Sequence, residues 1–458
     1  MTITVGLVTL ILIKWLKDYV QRWRMPPGPF FWPIIGNLSL FGGKSYLTFI
    51  DLAKTYGDVF SLKLGMTDVV VLNSLDAVKE AFVKKGEDFA GRPKMLTTDI
   101  SSEGGKDIAF SDYSPTWKLH RKLFHSAIRG YASGQNLQSK VHESLEDTIA
   151  VFSKMEGQAV DLEDYIYQLV YNVICSAAFG IRYNMDDEDF NTLMKISKDT
   201  TETFGQGLLA DVYPLLRFLP SSIYERVDGC CHDFWHVNSL SKDLYNVILM
   251  QINSLFAKLI RKTQEEFLLL KSVTLVGLTG VILDLLGPVA ILSSAGTIST
   301  ILTLRWAILY LAVHPEIQEK VAAELDSVVG RDRLPEMSDR EAMPYTEAIF
   351  HEVMRMASMD PVSLPHATTV DTTLRGYQIP KGTWIMPNLW ALHHDPDTWG
   401  DPDVFRPERF LDENGKPIPK PAALMPFGVG RRACPGEALA KADTFLLLGG
   451  LVQNFRFS

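Results

Sequence analysis

Cysteine is scarce in this chain of 458 residues, and what there is does not form a pattern. The four cysteines, Cys175, Cys230, Cys231 and Cys434, are too few and too irregularly spaced for a disulfide framework or a four-cysteine zinc site. They are the cysteines of a protein in a reducing compartment. Positive charge is short as well: the net charge is −9 and no basic stripe is available to neutralise phosphates, which excludes a nucleic-acid binder. Gly/Ser-rich linkers, internal repeats and low-complexity tracts are absent too, so nothing cuts the chain into several domains. What remains is 47% hydrophobic and 22% charged, the composition of one large globular domain with a substantial core.

Long apolar runs occur at two places. Ile3 to Ile13 is uncharged and mostly apolar, and Lys14, Lys17, Arg22 and Arg24 follow it. A cleavable signal peptide would carry its positive charge before the run and a small-residue cleavage site after it. The order found here predicts a membrane anchor over residues 1–24 with the rest of the chain on the cytoplasmic side. The run falls short of the roughly 20 residues that span a bilayer, so either Trp15 and Leu16 extend it with Lys14 snorkelling, or it dips into one leaflet. Pro26, Pro27 and Pro29 then make a stiff extended joint that sets how residues 25–458 stand off the membrane. The second run, Leu285 to Leu304, is uncharged for 20 residues, but Gly287, Pro288 and the hydroxyls of "SSAGTIST" (Ser293 to Thr300) make poor lipid-facing sequence.

Beyond the joint, "VFSLKLGMTDVVVL" reads as two strands around a turn at Gly65, and "LRGYQIPKGTWIMP" as a second small strand pair. Most of the chain to about Ser358 has helical spacing, so the expected class is mainly α with small β-sheets. A helix begins at "SPTWKLHRKLF", with Ser114 placed to cap and Pro115 in the first turn, which puts Trp117 and Arg121 on one face.

The chemistry concentrates in "PFGVGRRACPGE", Pro426 to Glu437. Gly428, Gly430 and Gly436 permit a tight turn and the close approach of a flat molecule, and the apolar run after Pro435 predicts a helix whose N-terminus points at Cys434. A helix N-terminus with Arg431 and Arg432 nearby lowers a thiol's pKa, and the thiolate is the form that binds a metal. A lone loop cysteine is by default structural; here its neighbours overturn that default.

Phe427, Gly430, Arg432, Cys434 and Gly436 resemble the haem-binding loop of the cytochrome P-450 family, at that family's spacing. "EVMR" (Glu352 to Arg355) is similar to the family's Glu-Arg helix pair and "PERF" (Pro407 to Phe410) to the loop whose arginine completes an ionic triad. Taken alone, Glu352 and Arg355 would be a surface pair contributing about 0.2–0.5 kcal/mol; with Arg409 they predict a buried network. The resemblance implies a cytochrome P-450 fold, a single haem domain behind the anchor, and haem b with the Cys434 thiolate as axial iron ligand. It places Trp117, Arg121, His366 (in "LPHATT") and Arg432 as partners of the haem propionates, where charge-assisted donors are needed. It gives no metal role to His393 or His394, and Cys175, Cys230 and Cys231 remain structural.

In the same resemblance "AGTIST" lies on the helix that crosses the oxygen-binding face, Ala295 and Gly296 being the small pair and Ser299 with Thr300 the catalytic hydroxyls. The family's acid is absent, Ile298 standing in its place. The implied activity is a microsomal monooxygenase that hydroxylates an apolar substrate, steroid-like or otherwise flat, with electrons from an NADPH-dependent reductase at the endoplasmic reticulum membrane. "GEDFAGRP", "WKLHRKLF", "PEMSDREAMPYTEAIFHEVMR" and "NLWALHHDPDTW" point toward steroid 17α-hydroxylase and aryl-hydrocarbon hydroxylase relatives. The missing acid keeps two alternatives open: a reductase-independent hydroperoxide isomerase or dehydratase, and a non-catalytic haem-binding relative. The family usually continues past "NFRFS" into a small sheet that touches substrate, which raises the expectation that the chain is a fragment.

Overall fold

The structure is a computed structural model that describes residues 2–41, 43–101, 107–132, 135–155, 157–206, 211–213 and 295–458. Cys230, Cys231, Ser293, Ser294 and the stretch 285–294 of the second apolar run lie outside the described residues.

Helices dominate. In chain order they are α1 (Thr2–Gln21), α2 (Ser45–Tyr56), α3 (Leu75–Lys79), α4 (Leu96–Ser101), α5 (Pro115–Ala132), α6 (Gln135–Ser153), α7 (Glu163–Phe179) and α8 (Glu188–Gln206). Then follow α9 (Ala295–Val313), α10 (Pro315–Val328), α11 (Pro344–Ala357), α12 (Leu389–His393), α13 (Pro396–Trp399) and α14 (Glu437–Asn454). Cap chemistry sets several starts. The backbone N–H of Trp117 donates to the Ser114 hydroxyl at 3.1 Å, so α5 begins where the Ser-Pro pair predicts. Pro315 and Pro344 open α10 and α11, where a missing N–H costs nothing.

Four strands make the larger sheet, in the order β1 (Val59–Leu64), β2 (Thr67–Leu72), β6 (Trp384–Pro387), β3 (His366–Ala367). β1 and β2 form the predicted hairpin, Val59 opposite Leu72 and Leu64 opposite Thr67. Gly65 turns it at φ +56°, and a Cβ there would lie 2.5 Å from the Val212 side chain, so glycine is required on both counts. β4 (Thr372–Leu374) and β5 (Tyr377–Ile379) form a separate hairpin turned at Arg375 and Gly376, both at positive φ. The second strand pair expected from the sequence is therefore shorter than its motif. "TWIMP" leaves it and runs parallel to β2, Val69 beside Trp384, because Trp384 and Ile385 bury in the core of the larger sheet.

α14 occupies the centre of the helical part. Phe445, Leu446, Leu447, Leu448, Leu451 and Val452 are all buried, leaving no polar face, as expected of a helix surrounded by others. Ile301, Leu304, Ala307 and Leu311 of α9 bury in the same cluster. The described half of the second apolar run is thus a core helix and not a lipid-facing one.

At the other end, α1 carries the first apolar run on through Lys14, Lys17 and Asp18 because its last turns dock on the body. Asp18 pairs with the buried Lys63 ammonium at 3.2 Å, and the Trp15 indole N–H donates to the Phe31 carbonyl at 3.2 Å. The proline joint is stitched to β1 at one residue: the Ser61 N–H donates to the Pro27 carbonyl at 2.8 Å and its hydroxyl to the Pro26 carbonyl at 2.6 Å. Arg22 Nε donates to the Ser61 hydroxyl at 2.9 Å. A Cβ on Gly28 would lie 1.9 Å from the Ser61 carbonyl oxygen, so the joint needs glycine to come this close.

Candidate active site

The turn before α14 is built around two left-handed glycines, Gly428 at φ +68° and Gly430 at φ +81°. A Cβ on Gly430 would lie 2.0 Å from the Phe82 carbonyl oxygen. The Cys434 N–H donates to the Phe427 carbonyl at 2.7 Å, closing the turn and setting the sulfur just ahead of α14.

Cys434 keeps one exposed face, yet enough protein surrounds the sulfur for desolvation to push its thiol pKa up. Backbone N–H groups of Gly436 and Glu437 and the Arg121 guanidinium pull the other way without prevailing. This corrects the expectation that Arg431 and Arg432 prepare a thiolate. Arg431 points to solvent and pairs with Glu87 at 3.3 Å, and Arg432 turns into the protein. The positive charge acting on the sulfur belongs to α5 and is opposed by the Glu437 carboxylate of α14, and a thiol in this setting loses its proton when a metal binds it.

Beside the turn the structure gathers three arginines, Arg432 buried and Arg92 and Arg121 half-buried, together with the buried Trp117 and His366. Arg432 Nε donates to the Ala90 carbonyl and Nη2 to the Ser111 carbonyl, both at 2.8 Å, with its guanidinium 3.9 Å from the Trp117 ring centre. The Trp117 indole N–H donates to the Ile108 carbonyl at 2.9 Å. Arg121, one turn further along α5, reaches the Ala433 carbonyl next to the cysteine. His366 on β3 is buried and donates Nδ1–H to the Phe89 carbonyl at 3.0 Å. Arg92 completes the group, with Nε 2.7 Å from the Ala109 carbonyl and Nη1 2.8 Å from the Pro365 carbonyl. Sequence reasoning did not assign Arg92 a role, although it lies in "GEDFAGRP"; only the fold reveals what it faces.

Electrostatics show what this cluster suits. Desolvation, followed by mutual repulsion, pulls Arg92 down to about 10 and Arg432 to about 9, and holds His366 well below its ordinary value. The donors of this cluster named above all end on neutral carbonyls, and Asp107, Asp112 and Asp360 nearby offset only part of the arginine charge. A ligand bringing two carboxylates would reverse the sign of that interaction, and a flat one fits beside the glycine-lined turn. The residues present thus fit haem, whose iron Cys434 would hold and whose carboxylates Trp117, Arg121, His366, Arg432 and Arg92 would face.

The hydroxyls of α9 form a second group. Ser299 donates to the Ala295 carbonyl and Thr300 to the Gly296 carbonyl, each at 2.7 Å. Such i−4 back-bonding competes with the helix's own ladder at the small pair Ala295–Gly296. Thr300 is buried, Ser299 exposed and Ile298 half-buried.

Glu352 and Arg355 are wholly buried and bidentate, Nε–Oε2 and Nη2–Oε1 both 2.8 Å, and Arg409 Nε adds a contact to Glu352 Oε1 at 3.0 Å. Arg355 also donates to the His393 and Pro402 carbonyls, so α11 is tied to the chain on either side of α13. This is the network expected with Arg409, and not the solvated pair.

Similarity to known proteins shows the family of the chain. A model of the Cytochrome P450 family matches residues 26–458. The chain is 34% identical to a steroid 17-alpha-hydroxylase/17,20 lyase of Ictalurus punctatus, over 98% of this chain and 88% of the relative. It is 34% identical to cytochrome P450 1A1 of Cavia porcellus, over 100% and 90%. A solved structure described as zebra fish cytochrome P450 with progesterone superposes with a TM-score of 0.76 at 34% identity, covering 90% of this chain and 92% of that one. With a match across almost its whole length, a mainly helical fold of the same shape and a cation-flanked cysteine turn, the chain belongs to the cytochrome P450 family of haem-thiolate monooxygenases.

Proposed function

We propose that the chain hydroxylates an apolar, flat substrate of steroid-like shape, using O2 and electrons from an NADPH-dependent reductase. The observation that carries the reading is the Cys434 turn set against five buried or half-buried side chains that suit haem carboxylates. Haem held through a thiolate supplies O2 activation and insertion of one oxygen atom into the substrate. The rest is the work of this chain's residues. Cys434 provides the thiolate and the Gly436 and Glu437 N–H groups steady its charge. Trp117, Arg121, His366, Arg432 and Arg92 would hold the ring by its carboxylates. Ser299 and Thr300, through ordered water, hold and pass the proton that oxygen reduction consumes. The relatives named for steroid hydroxylation and the solved relative described with progesterone support the substrate class.

The reading also sets the protein at the endoplasmic reticulum membrane, catalytic domain in the cytoplasm. Exposed Leu12, Ile13, Leu16, Val20 and Trp23 along the N-terminal segment support an anchor, and the cations after the apolar run support its orientation.

Ile298 favours a second reading, a hydroperoxide isomerase or dehydratase, which needs neither reductase nor proton relay. Turnover of a substrate found by its shift of the haem band, with NADPH and reductase against hydroperoxide alone, separates the two. Monooxygenation predicts that Ile298→Asp raises product per NADPH and Ser299→Ala lowers it. Turnover with hydroperoxide alone, slowed by Ile298→Asp, would establish the isomerase instead.

A further inference from the structure

His393 has no part in the function described so far, yet both its ring nitrogens are committed and its side chain is buried. The Met425 N–H donates to Nε2 at 3.1 Å, so Nε2 is the acceptor and Nδ1 carries the hydrogen. Nδ1–H then faces the Ser358 hydroxyl at 2.9 Å. Ser358 ends α11 in a left-handed conformation, φ 38°, one turn beyond Arg355, and Arg355 itself donates to the His393 carbonyl at 2.9 Å. On the other side Met425 accepts from the Gly428 N–H at 2.9 Å, two residues before Phe427 receives the Cys434 N–H at 2.7 Å. Four successive contacts thus run from the end of the Glu352–Arg355 helix through one imidazole to the turn that holds the sulfur.

We propose that His393 is a positioning residue for Cys434: as a neutral imidazole of fixed tautomer it holds the Met425 backbone, and through it the Phe427 carbonyl that accepts the Cys434 N–H. The proposal rests on the reading of Cys434 as the iron ligand. Pro426 has no N–H, so the Met425 amide is the last backbone donor before Phe427, and its bond to Nε2 anchors the chain two residues ahead of the carbonyl that receives Cys434. Burial among Arg355 and His394 pulls the His393 pKa down to about 3, which keeps Nε2 an acceptor at every physiological pH.

Side-chain length provides the test. In His393→Gln the amide oxygen reaches the place of Nε2 and accepts from Met425. In His393→Asn the amide nitrogen takes the place of Nδ1 and keeps only the Ser358 contact. The haem-loaded wild type, His393→Gln, His393→Asn, His393→Leu and Cys434→Ala are compared by amide exchange at Met425 and by the reduced, carbon monoxide-bound Soret band. We expect exchange about tenfold faster in His393→Asn and His393→Leu, with part of the band moved to the shorter wavelength of iron without a thiolate. His393→Gln should keep both near the wild type. Equal loss in the Gln and Asn variants, or faster exchange with an unmoved band, overturns the proposal and leaves the Cys434 reading intact. A band retained by Cys434→Ala would remove that reading, and the proposal with it. Should His393→Leu not fold, the Gln–Asn contrast decides alone.

Discussion

The Arg432 guanidinium lies over the Trp117 ring, its central carbon 3.9 Å from the ring centre, while its nitrogens are fixed by the Ala90 and Ser111 carbonyls. The two residues are far apart in sequence, one on α5 and one in the cysteine turn, so this stacking joins the helix that carries Arg121 to the loop that carries Cys434. Lysine can replace neither the planar contact nor the forked hydrogen bonding. Arg432→Lys should therefore weaken haem retention about tenfold, measured as haem per protein after competition with apomyoglobin. Undiminished retention would show that Arg432 is only a structural cation.

Glu352 is shared by Arg355 and Arg409 and also accepts the Arg406 N–H at 2.9 Å; Arg409 has a second carboxylate in Asp401 at 3.4 Å, while the buried Arg355 relies on Glu352. Removing it leaves buried positive charge at a cost of about 3–5 kcal/mol. Glu352→Ala should fail to incorporate haem and melt well below the wild type. Wild-type haem content and melting temperature in that variant would contradict a buried network.

Asp443 sits in the middle of α14, buried, its Oδ1 without a hydrogen-bond partner among the described residues. Desolvation pushes its pKa up from the ordinary 3.8 to about 8. Between those values the folded chain holds a proton that the unfolded chain releases, so stability falls as pH rises, by about 1.4 kcal/mol per pH unit for this group. Below 3.8 the carboxyl is neutral in both states and the loss disappears. Asp443→Asn should flatten the dependence of melting temperature on pH between 4 and 8, and parallel profiles for the two proteins would exclude the effect.

Deleting Met1 to Arg24 should weaken vesicle co-sedimentation while the haem spectrum persists, since the cofactor residues lie beyond the proline joint. Because Asp18 pairs with Lys63 and Arg22 with Ser61, the shortened chain should also melt a few degrees lower. Undiminished sedimentation would contradict the anchor.

Much of the site was legible because its signals are local. Ser114–Pro115 marks the start of α5, the i, i+4 spacing puts Trp117 and Arg121 on one face, and the glycines around Cys434 dictate a turn. The Glu352–Arg355–Arg409 network was legible only with two motifs read together. Partners set by the fold were not. Nothing in "RRAC" says that Arg431 faces water and Arg432 faces Trp117, so the charge on the thiol was assigned to the wrong arginines. Arg92 meets the cluster through carbonyls of Ala109 and Pro365, and Trp384 pairs with Val69, at separations no periodicity encodes.

The central claim is that the Cys434 thiolate holds the iron. The most direct measurement is the Soret band of the reduced, carbon monoxide-bound protein, wild type against Cys434→Ala. The account predicts the red-shifted band of thiolate ligation in the wild type and its loss in the variant; the same red-shifted band in Cys434→Ala would contradict it.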